Sequence, residues 1–333
     1  MPHRGVEVTL ANLSLSLSCG NYDRTRFLVD GTVQAEGIDL TVIPLVSGER
    51  HDRFTRNLEF DICELQMGVF LGWKSRGAPF TAIPVFPHRG FCHGNVVINT
   101  KVGIESPADL AGKTIGMQAH FNPVTIWMRG LLQEEFGVPP ASLKIRTNAG
   151  EQVPGWTPPP WMDHARMPEG GRVEDALRAG EIDLIIPPEV YESVRTDSDH
   201  MRRLWPDFKQ TEMDYFRRTG IFPIRHTVVI KNDILEEHPW VALSVMKAFT
   251  KAKELGLAHM RDPRRSFLAW YGAELEAQEA LFGPDPWPYT MEENRVALET
   301  MARYAAVCGV TDDVLAIDDM FVASTLDVSR IRG

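Results

Sequence analysis

Side chains that can bind metals or transfer protons gather in one short stretch of this sequence, residues 88–93. His88, Cys92 and His93 are all ligand types for a transition metal. In an unbroken strand His88 and Cys92 face one side and His93 the other, although Gly90 can bend such a strand. The spacings H-E-x-x-H, C-x-x-C and His-x-His are absent, so we predict no metal site. Histidine is instead suited to proton transfer near neutral pH.

Other well-known site motifs are also absent. The sequence contains no G-x-G-x-x-G, no P-loop and no G-x-S-x-G, which weighs against nucleotide-binding and α/β-hydrolase functions. The chain has 333 residues, with 35 Lys+Arg against 45 Asp+Glu and a formal net charge of −10. Nucleic acids and anionic membranes attract basic surfaces, so neither is an expected partner. No stretch of about 18 apolar residues predicts a transmembrane helix.

The N-terminal pattern and the cysteines indicate a compartment. A secretory signal has a continuous apolar stretch, but Glu7 and Asn12 interrupt residues 1–20. Leucine alternates with serine at 13–18, which predicts a half-buried strand. The four cysteines form no C-x-x-C pair and no regular framework. We therefore predict reduced thiols and a cytoplasmic location.

Predicted strands and helices alternate along the chain, which favours βαβ units and a mostly parallel sheet with helices on both faces. Five prolines in 153–171 exclude a helix or a central strand, since proline lacks an N–H donor and fixes φ. We predict an extended surface loop there, a candidate lid. The predicted strands are 13–17, 38–43, 60–63, 81–86, 95–99, 114–117, 182–186 and 226–231, and the predicted helices are 22–30, 49–57, 66–74, 122–136, 172–180, 239–260 and 291–308.

Seven short strings coincide, in order over nearly the whole chain, with a known pattern. They are 19–25 (CGNYDRT), 59–64 (EFDICE), 82–89 (AIPVFPHR), 127–130 (WMRG), 217–224 (RRTGIFPI), 226–230 (HTVVI) and 285–289 (DPWPY). Together they resemble the 4,5-dihydroxyphthalate decarboxylase family, which is itself similar to type II periplasmic solute-binding proteins.

The resemblance implies an α/β protein with a two-lobed, type II periplasmic-binding-protein-like fold. Mixed sheets would be flanked by helices, with two crossings between the lobes and helices at the C-terminus. Lobe I would comprise 1–88 and 227–333 with the C-terminal helices, and lobe II would comprise 89–226 with the Pro-rich loop 153–171. Ligands of such folds bind in the cleft, outside the carboxyl ends of the strands.

The resemblance also implies a function, the non-oxidative decarboxylation of a hydroxylated aromatic carboxylate such as 4,5-dihydroxyphthalate, giving protocatechuate and CO₂. The chemistry would be acid–base catalysis without a cofactor. His93 and His226 would transfer protons, and Glu64 or Asp23 would orient a histidine. Arginines would bind the carboxylates, because guanidinium groups make bidentate contacts with them. The expected substrate-binding residues are Tyr22, Asp23, Arg24, His88, Arg89, Gln118, His120, Asn122, Glu189 and Arg225.

One departure from the family pattern bears on the substrate. Where family members read Phe-Arg-His-Ser, this chain reads FCHG at 91–94, which removes an arginine. Cys92 and Gly94 therefore leave open an enzyme for a different acid, and Arg225 is a candidate for the compensating charge. A hypothesis from another class is a small-anion solute-binding protein without an export signal. A homo-oligomer stays open as well.

Several candidate residues have structural alternatives. Asp23 is equally suited to capping a helix, and Glu189 to stabilising the first turn of one. His120 fits a solvated turn before the helix that starts at Asn122, and Tyr22 fits a core position. The start of that helix offers free amides to an anion, as every helix start does.

Overall fold

The computed structural model describes residues 11–190 and 192–328. Residues 1–10, on which part of the prediction about the N-terminus depends, lie outside them. Within the described residues, the strands are β1 Leu13–Cys19, β2 Ile38–Pro44, β3 Ile62–Gln66, β4 Phe80–Ile83, β5 Val97–Asn99, β6 Thr114–Met117, β7 Lys144–Thr147, β8 Asp163–Arg166, β9 Leu184–Ile185, β10 Met201–Arg203 and β11 His226–Lys231.

The helices of the same residues are α1 Arg26–Val29, α2 Ser47–Asn57, α3 Met67–Lys74, α4 Pro123–Phe136, α5 Val173–Ala179, α6 Ser193–Thr196, α7 Phe208–Thr219, α8 Asn232–Glu237, α9 Val241–Met260, α10 Tyr271–Phe282 and α11 Met291–Val307. None of these helices combines the length and the apolar character needed to cross a membrane.

The first sheet has the strand order β2-β1-β3-β11-β4. Strand β1 runs parallel to β2 and β3, whereas β11 runs antiparallel to both β3 and β4. The Leu–Ser alternation does form a strand, and its Leu15 and Leu17 are buried. Strand β11 comes from the second half of the chain, so it brings His226 beside β3.

The second sheet has the order β10-β5-β9-β6-β7-β8. Its β6 is parallel to β7 and β9, and β5 is antiparallel to β9 and β10. Two mixed sheets flanked by helices confirm the predicted fold class. Of the nine strand pairings in the described residues, five are parallel and four antiparallel, so the parallel share is smaller than the alternation of elements suggested. The antiparallel strands lie where the chain passes between the sheets: β5 is the first strand of the second sheet, and β11 brings the chain back to the first sheet. The lobe boundaries at 88/89 and 226/227 stay a prediction.

Two chain segments connect the sheets and lie side by side. Arg89 and Ile224 form an antiparallel bridge, and the amide of Gly90 donates to the carbonyl of Pro223 (3.1 Å). The amides of Arg225 and His226 both donate to the carbonyl of His88, at 2.9 and 3.1 Å. This pairing places residues 88, 225 and 226 next to one another.

The Pro-rich segment 153–171 contains no helix, as predicted, but Asp163–Arg166 forms an edge strand, β8, parallel to β7. The indole of Trp156 donates to the carbonyl of Gly309 (2.9 Å), just beyond α11. The segment therefore packs against the C-terminal helices. The lid expectation is not supported, because none of residues 153–171 lines the main cavity described below.

Candidate active site

A cavity of about 930 Å³ is lined by residues from both sheets. From the first sheet come Gly20, Pro44 and Gln66, at the ends of β1, β2 and β3. Gln118 and Ala149 follow β6 and β7 of the second sheet. Ligands of open α/β sheets bind outside the carboxyl ends of the strands. We therefore take this cavity as the candidate active site.

Glu64 on β3 is the buried anion of the site, with no exposed side-chain surface. Its Oε1 lies 2.5 Å from Nδ1 of His226 and 3.1 Å from Nη2 of Arg50. The amide of Gly20 donates to Oε2 (2.7 Å), and the hydroxyl of Tyr22 donates to Oε1 (3.1 Å). Burial opposes ionisation, but Arg50 and His226 outweigh it and hold the pKa of Glu64 well below its ordinary value. Glu64 is therefore a carboxylate at neutral pH.

His226 is the first residue of β11 and lines the cavity. Because an ionised Glu64 can only accept, Nδ1 of His226 carries the proton of their hydrogen bond, which leaves Nε2 for a ligand. Burial lowers the pKa of His226, and the carboxylate of Glu64 works against that shift. In the empty site His226 is therefore a neutral imidazole, and the adjacent carboxylate of Glu64 can stabilise its charged form.

His88 lies between His226 and Tyr22. Its ring centroid is 4.7 Å from that of His226, and it stacks on the ring of Tyr22 at 6.1 Å. Burial and then the neighbouring His226 lower the pKa of His88 to about 2. Its Nδ1 is buried and has no hydrogen-bond partner among the described residues. His88 is therefore a neutral imidazole that lines the cavity.

Arg225 supplies the positive charge of the cavity wall. Its guanidinium donates to the carbonyls of Gly90 (3.2 Å) and Phe91 and lies 3.4 Å from the carbonyl of Pro188. Among the described residues no carboxylate lies within 4.0 Å of it, although the residue is 8% exposed. A buried cation without an anion costs free energy, so the arrangement favours binding of an anionic ligand.

Four further predicted residues line the same cavity, namely Tyr22, Gln118, Asn122 and Glu189. Asn122 is the N-cap of α4, since its Oδ1 accepts the amide of Val124 (2.9 Å). Glu189 is exposed and lies at the rim. The structure thus brings Glu64, His88, Arg225 and His226 together with these four.

Arg89 and His93 do not line the cavity, contrary to the expectation that they contact the substrate. Arg89 follows His88 by one residue in extended chain, so its side chain leaves on the opposite face. Its guanidinium donates to the carbonyl of Pro288 (3.1 Å) and to Asn294. His93 starts a short 3₁₀ turn and packs on Trp205, with 5.2 Å between ring centroids. Burial lowers the pKa of His93 to about 4.

Three more predicted residues also lie outside the cavity lining. His120 is buried, stacks on Trp156 (4.6 Å between ring centroids) and lies 3.2 Å from Arg129. The alternative of a solvated turn residue is therefore wrong for His120. Asp23 lines a separate cavity of about 260 Å³. The guanidinium carbon of Arg24 lies 4.4 Å from the ring centroid of Tyr22, so Arg24 supports a cavity residue from behind.

Sequence reasoning missed Arg50 and His51, both fully buried on α2. Arg50 is the cation that pairs with Glu64, and the ring of His51 lies 5.1 Å from that of His226. Arg50, His51, Phe54 and Thr55 are buried together, at the spacing of one helical face. Phe54 was the available signal, because it is the one large apolar residue of the mostly polar helix α2 and marks the face that turns inward.

Within residues 11–190 and 192–328, no group of three or more His, Cys, Asp or Glu side chains is arranged to hold a metal ion. The rings of His51 and His88 each meet the ring of His226 edge to face, with 5.1 and 4.7 Å between ring centroids.

The two mixed sheets, with a cavity at their strand ends, define a type II periplasmic-binding-protein-like fold. A sulfonate-binding protein of Methylobacillus flagellatus is similar, with a TM-score of 0.55 and 16% identity over 95% of this chain and 94% of that one. An aliphatic sulphonate-binding protein of Escherichia coli has a TM-score of 0.51 and 11% identity over 98% and 95%. At such identities the likeness shows the fold alone.

Two curated relatives are both named 4,5-dihydroxyphthalate decarboxylase. The protein of Comamonas testosteroni is 30% identical over 331 residues, 97% of this chain and 100% of the relative. The protein of Pseudomonas putida is 31% identical over 217 residues, 63% of this chain and 84% of the relative. No protein-family model matches the chain. The chain belongs to the 4,5-dihydroxyphthalate decarboxylase family, which confirms the predicted family and the predicted class of enzyme, a carboxy-lyase.

Proposed function

We propose that this protein decarboxylates a hydroxylated aromatic dicarboxylate, with 4,5-dihydroxyphthalate as substrate and protocatechuate and CO₂ as products. One observation carries the proposal: Arg225, a buried arginine with no carboxylate within 4.0 Å among the described residues, shares a cavity wall with a histidine held by a buried carboxylate. The relatives' name supplies the substrate. An aromatic ring with two carboxylates matches the cation and the imidazole rings of this wall.

The reaction needs one proton for each CO₂ released. A ring hydroxyl para to the leaving carboxylate gives up its proton and pushes electron density onto the carbon that bears that carboxylate. That carbon takes a proton, the C–C bond breaks, and its electron pair restores the aromatic ring as CO₂ leaves. The hydroxyl recovers its proton at the end. The enzyme must therefore bind carboxylate, hydrogen-bond the hydroxyl and deliver a proton to carbon.

The cavity residues divide these tasks. Arg225 binds a carboxylate, where a charge-assisted hydrogen bond is strong. His226 delivers the proton to the ring carbon, and Glu64 stabilises the imidazolium that forms. His226 is neutral in the empty site, but a bound dianion raises its pKa, so the proton arrives with the substrate. His88, held neutral by burial, is the hydrogen-bond partner for a ring hydroxyl.

Further proposals concern the cellular compartment, the metabolic role and the oligomeric state. The thiols of Cys19, Cys63, Cys92 and Cys308 are free and buried, which is consistent with a reducing cytoplasm. The proposed reaction assigns the protein to the breakdown of phthalate-type aromatic acids. A homo-oligomer stays a prediction.

The test is turnover of 4,5-dihydroxyphthalate, with protocatechuate and CO₂ measured as products. His226→Gln keeps a polar side chain, but the glutamine amide does not ionise near neutral pH and cannot act as a general acid. We therefore expect this variant to lower kcat at least ~10²-fold. His164→Gln is the matched control, because His164 is half-buried on β8 outside the cavity. Its kcat should stay within about threefold of the wild type, in the range of substitutions that leave general acid–base groups intact.

The small-anion-binding hypothesis gives a different result. Arg225 alone would serve a binding protein, whereas a histidine held by Glu64 serves proton transfer. Tight binding of the dianion by wild-type protein with no release of CO₂ would reject the decarboxylase proposal and favour the binding protein. Equal kcat values for wild type and His226→Gln would reject only the role of His226.

A further inference from the structure

Arg50 connects the buried carboxylate of the site to the cavity wall. Its Nη2 lies 3.1 Å from Oε1 of Glu64, and its Nε donates to the backbone carbonyl of Glu64 (2.9 Å). Its Nη1 donates to the carbonyl of Leu45 (2.6 Å), a residue that lines the cavity. Both side chains of the ion pair are completely buried. Arg50 itself does not line the cavity, so any influence on the reaction acts through its neighbours.

The buried carboxylate depends on this cation. A carboxyl group without solvent contact favours its neutral form unless a charge compensates it. Gly20 and Tyr22 donate to Glu64, but neither carries a positive charge. Arg225, which does line the cavity, donates to carbonyls of the first crossing and forms no ion pair with Glu64. In the empty site, where His226 is neutral, Arg50 is therefore the cation in contact with Glu64.

The protonation state of Glu64 decides which nitrogen of His226 carries a proton. An ionised Glu64 accepts from Nδ1–H and leaves the lone pair of Nε2 available at the cavity. A protonated Glu64 would donate to Nδ1, so the proton of the neutral imidazole would lie on Nε2. Nδ1 of His226 lies 2.5 Å from Oε1 of Glu64, so a change in the protonation of Glu64 changes which nitrogen of the neutral imidazole carries the proton. The tautomer of His226 is thus a readout of the charge on Glu64.

We propose that Arg50 is a positioning residue that keeps Glu64 ionised and thereby holds His226 as the tautomer with Nδ1 protonated and Nε2 open to the substrate. The proposal rests on the proposed function for its catalytic consequence, but the tautomer itself is a property of the substrate-free protein.

Other titratable groups also face the Glu64–His226 pair. Two of them are arginines, which are charged. The rest are thiols, phenols and imidazoles, which are neutral near neutral pH. The groups are Cys19 and Tyr22 at the end of β1, Arg50 and His51 on α2, Cys63 on β3, His88 and Arg225 on the crossings, and Tyr289 before α11. Burial raises the pKa of the thiols and phenols and lowers that of His51 and His88, so these groups stay neutral. They add no counter-charge that could replace Arg50.

The experiment compares Arg50→Met, Arg50→Lys and Arg53→Met. Met removes the charge, and Lys keeps it without the forked geometry. Arg53 is a half-buried arginine on the same helix that pairs with Glu49 and Glu59. In substrate-free protein we expect the ¹⁵N signals of His226 to show Nδ1–H in the wild type, Arg50→Lys and Arg53→Met. Arg50→Met should show Nε2–H. His226→Gln assigns the signals.

Turnover gives a second readout that loss of packing alone would not produce. We expect kcat of Arg50→Met to fall ~10²-fold at neutral pH and the deficit to shrink as pH rises, because a Glu64 without its cation ionises only at higher pH. In Arg50→Met/Glu64→Gln the deficit should not change with pH, since glutamine does not ionise. Arg50→Lys should recover most of kcat, and Arg53→Met should keep it.

Each outcome decides the question. Nδ1–H in Arg50→Met, or a pH-independent deficit, would overturn the role of Arg50. If Arg50→Met does not fold, the wild type still tests the inference: His226 must keep Nδ1–H from about pH 8 to about pH 5.5, well above the lowered pKa of Glu64, and a tautomer change in that interval rejects it. Absence of turnover in the wild type would reject the proposed function and leave the NMR result to decide on Arg50 separately.

Discussion

Two buried arginines near the crossings offer a sharp test of which one binds the substrate. Arg225 and Arg89 are 8% and 6% exposed, and the strand bridge at 89 and 224 places them close in the fold. Arg225 lines the cavity and forms no ion pair within residues 11–190 and 192–328, whereas the guanidinium of Arg89 donates to Pro288 and Asn294. Arg225→Met and Arg89→Met therefore remove the same type of side chain from similarly buried positions. They differ in whether the lost guanidinium lies at the cavity.

The expected magnitude follows from the bond that is lost. A hydrogen bond to a charged group contributes about 1.5–3 kcal/mol, and each 1.4 kcal/mol is about tenfold in affinity. Arg225→Met should therefore weaken binding of phthalate about 10- to 150-fold. Phthalate lacks the ring hydroxyls that the reaction requires, so binding is measured without turnover. Arg89→Met should keep the dissociation constant within about threefold while losing stability, because it leaves its buried acceptors unpaired.

Isothermal titration calorimetry gives the two dissociation constants, and urea unfolding without ligand gives the two stabilities. At a phthalate concentration about 100 times the wild-type Kd, ligand should stabilise the wild type by about 2.7 kcal/mol. A variant that binds about 30-fold more weakly keeps only about 0.9 kcal/mol of this. Unchanged affinity in Arg225→Met together with weakened affinity in Arg89→Met would refute the assignment and restore the original sequence-based role of Arg89.

Two further predictions concern stability and site geometry. His88 and His93 have pKa values lowered from 6.5 to about 2 and about 4, so the unfolded chain binds protons below about pH 6.5 that the folded chain refuses. The contribution of these two histidines to the free energy of unfolding is complete above that pH. It falls by about 1.4 kcal/mol for each histidine between about pH 7.5 and 5.5. A free energy of unfolding that stays constant over this interval contradicts the prediction. At Gly20 an added Cβ would lie 2.2 Å from Cζ of Tyr22. We expect Gly20→Ala to displace the Tyr22 hydroxyl from Glu64 and lower kcat/KM at least ~10-fold; steady-state kinetics with no change would show that the Tyr22 position is unimportant.

The strand-end rule predicted the residues that the structure brings together. Glu64 and His226 lie on adjacent antiparallel strands, and both were expected at the cleft. The rule could not fix the direction of neighbouring side chains, because an extended chain alternates. His88 faces the cavity and Arg89 does not, so one residue decides whether a charge reaches the ligand. His93 was displaced for another reason, since its 3₁₀ turn packs on α7.

The residues that reasoning from strand ends missed lie on a helix face. Arg50 and His51 occupy α2, whose sequence is mostly polar. Their burial follows from tertiary pairing with Glu64, since a buried carboxylate requires a nearby cation. The sequence contains this partner fourteen residues before Glu64, but several arginines compete for the role and helical periodicity does not rank them.

The pairing of the crossings explains how acid–base and binding groups become neighbours. The carbonyl of His88 accepts the amides of both Arg225 and His226, so these three residues are fixed by backbone hydrogen bonds. Arg225 turns toward the carbonyls of the first crossing, and His226 turns toward Glu64 on β3. A carboxylate bound by Arg225 is therefore next in sequence to the imidazole that exchanges a proton. The guanidinium of Arg225 donates to carbonyls but has no carboxylate in contact among the described residues, which raises the free energy of the empty protein. An anion in the cavity offsets that cost, so ligand binding and proton delivery are parts of one electrostatic arrangement.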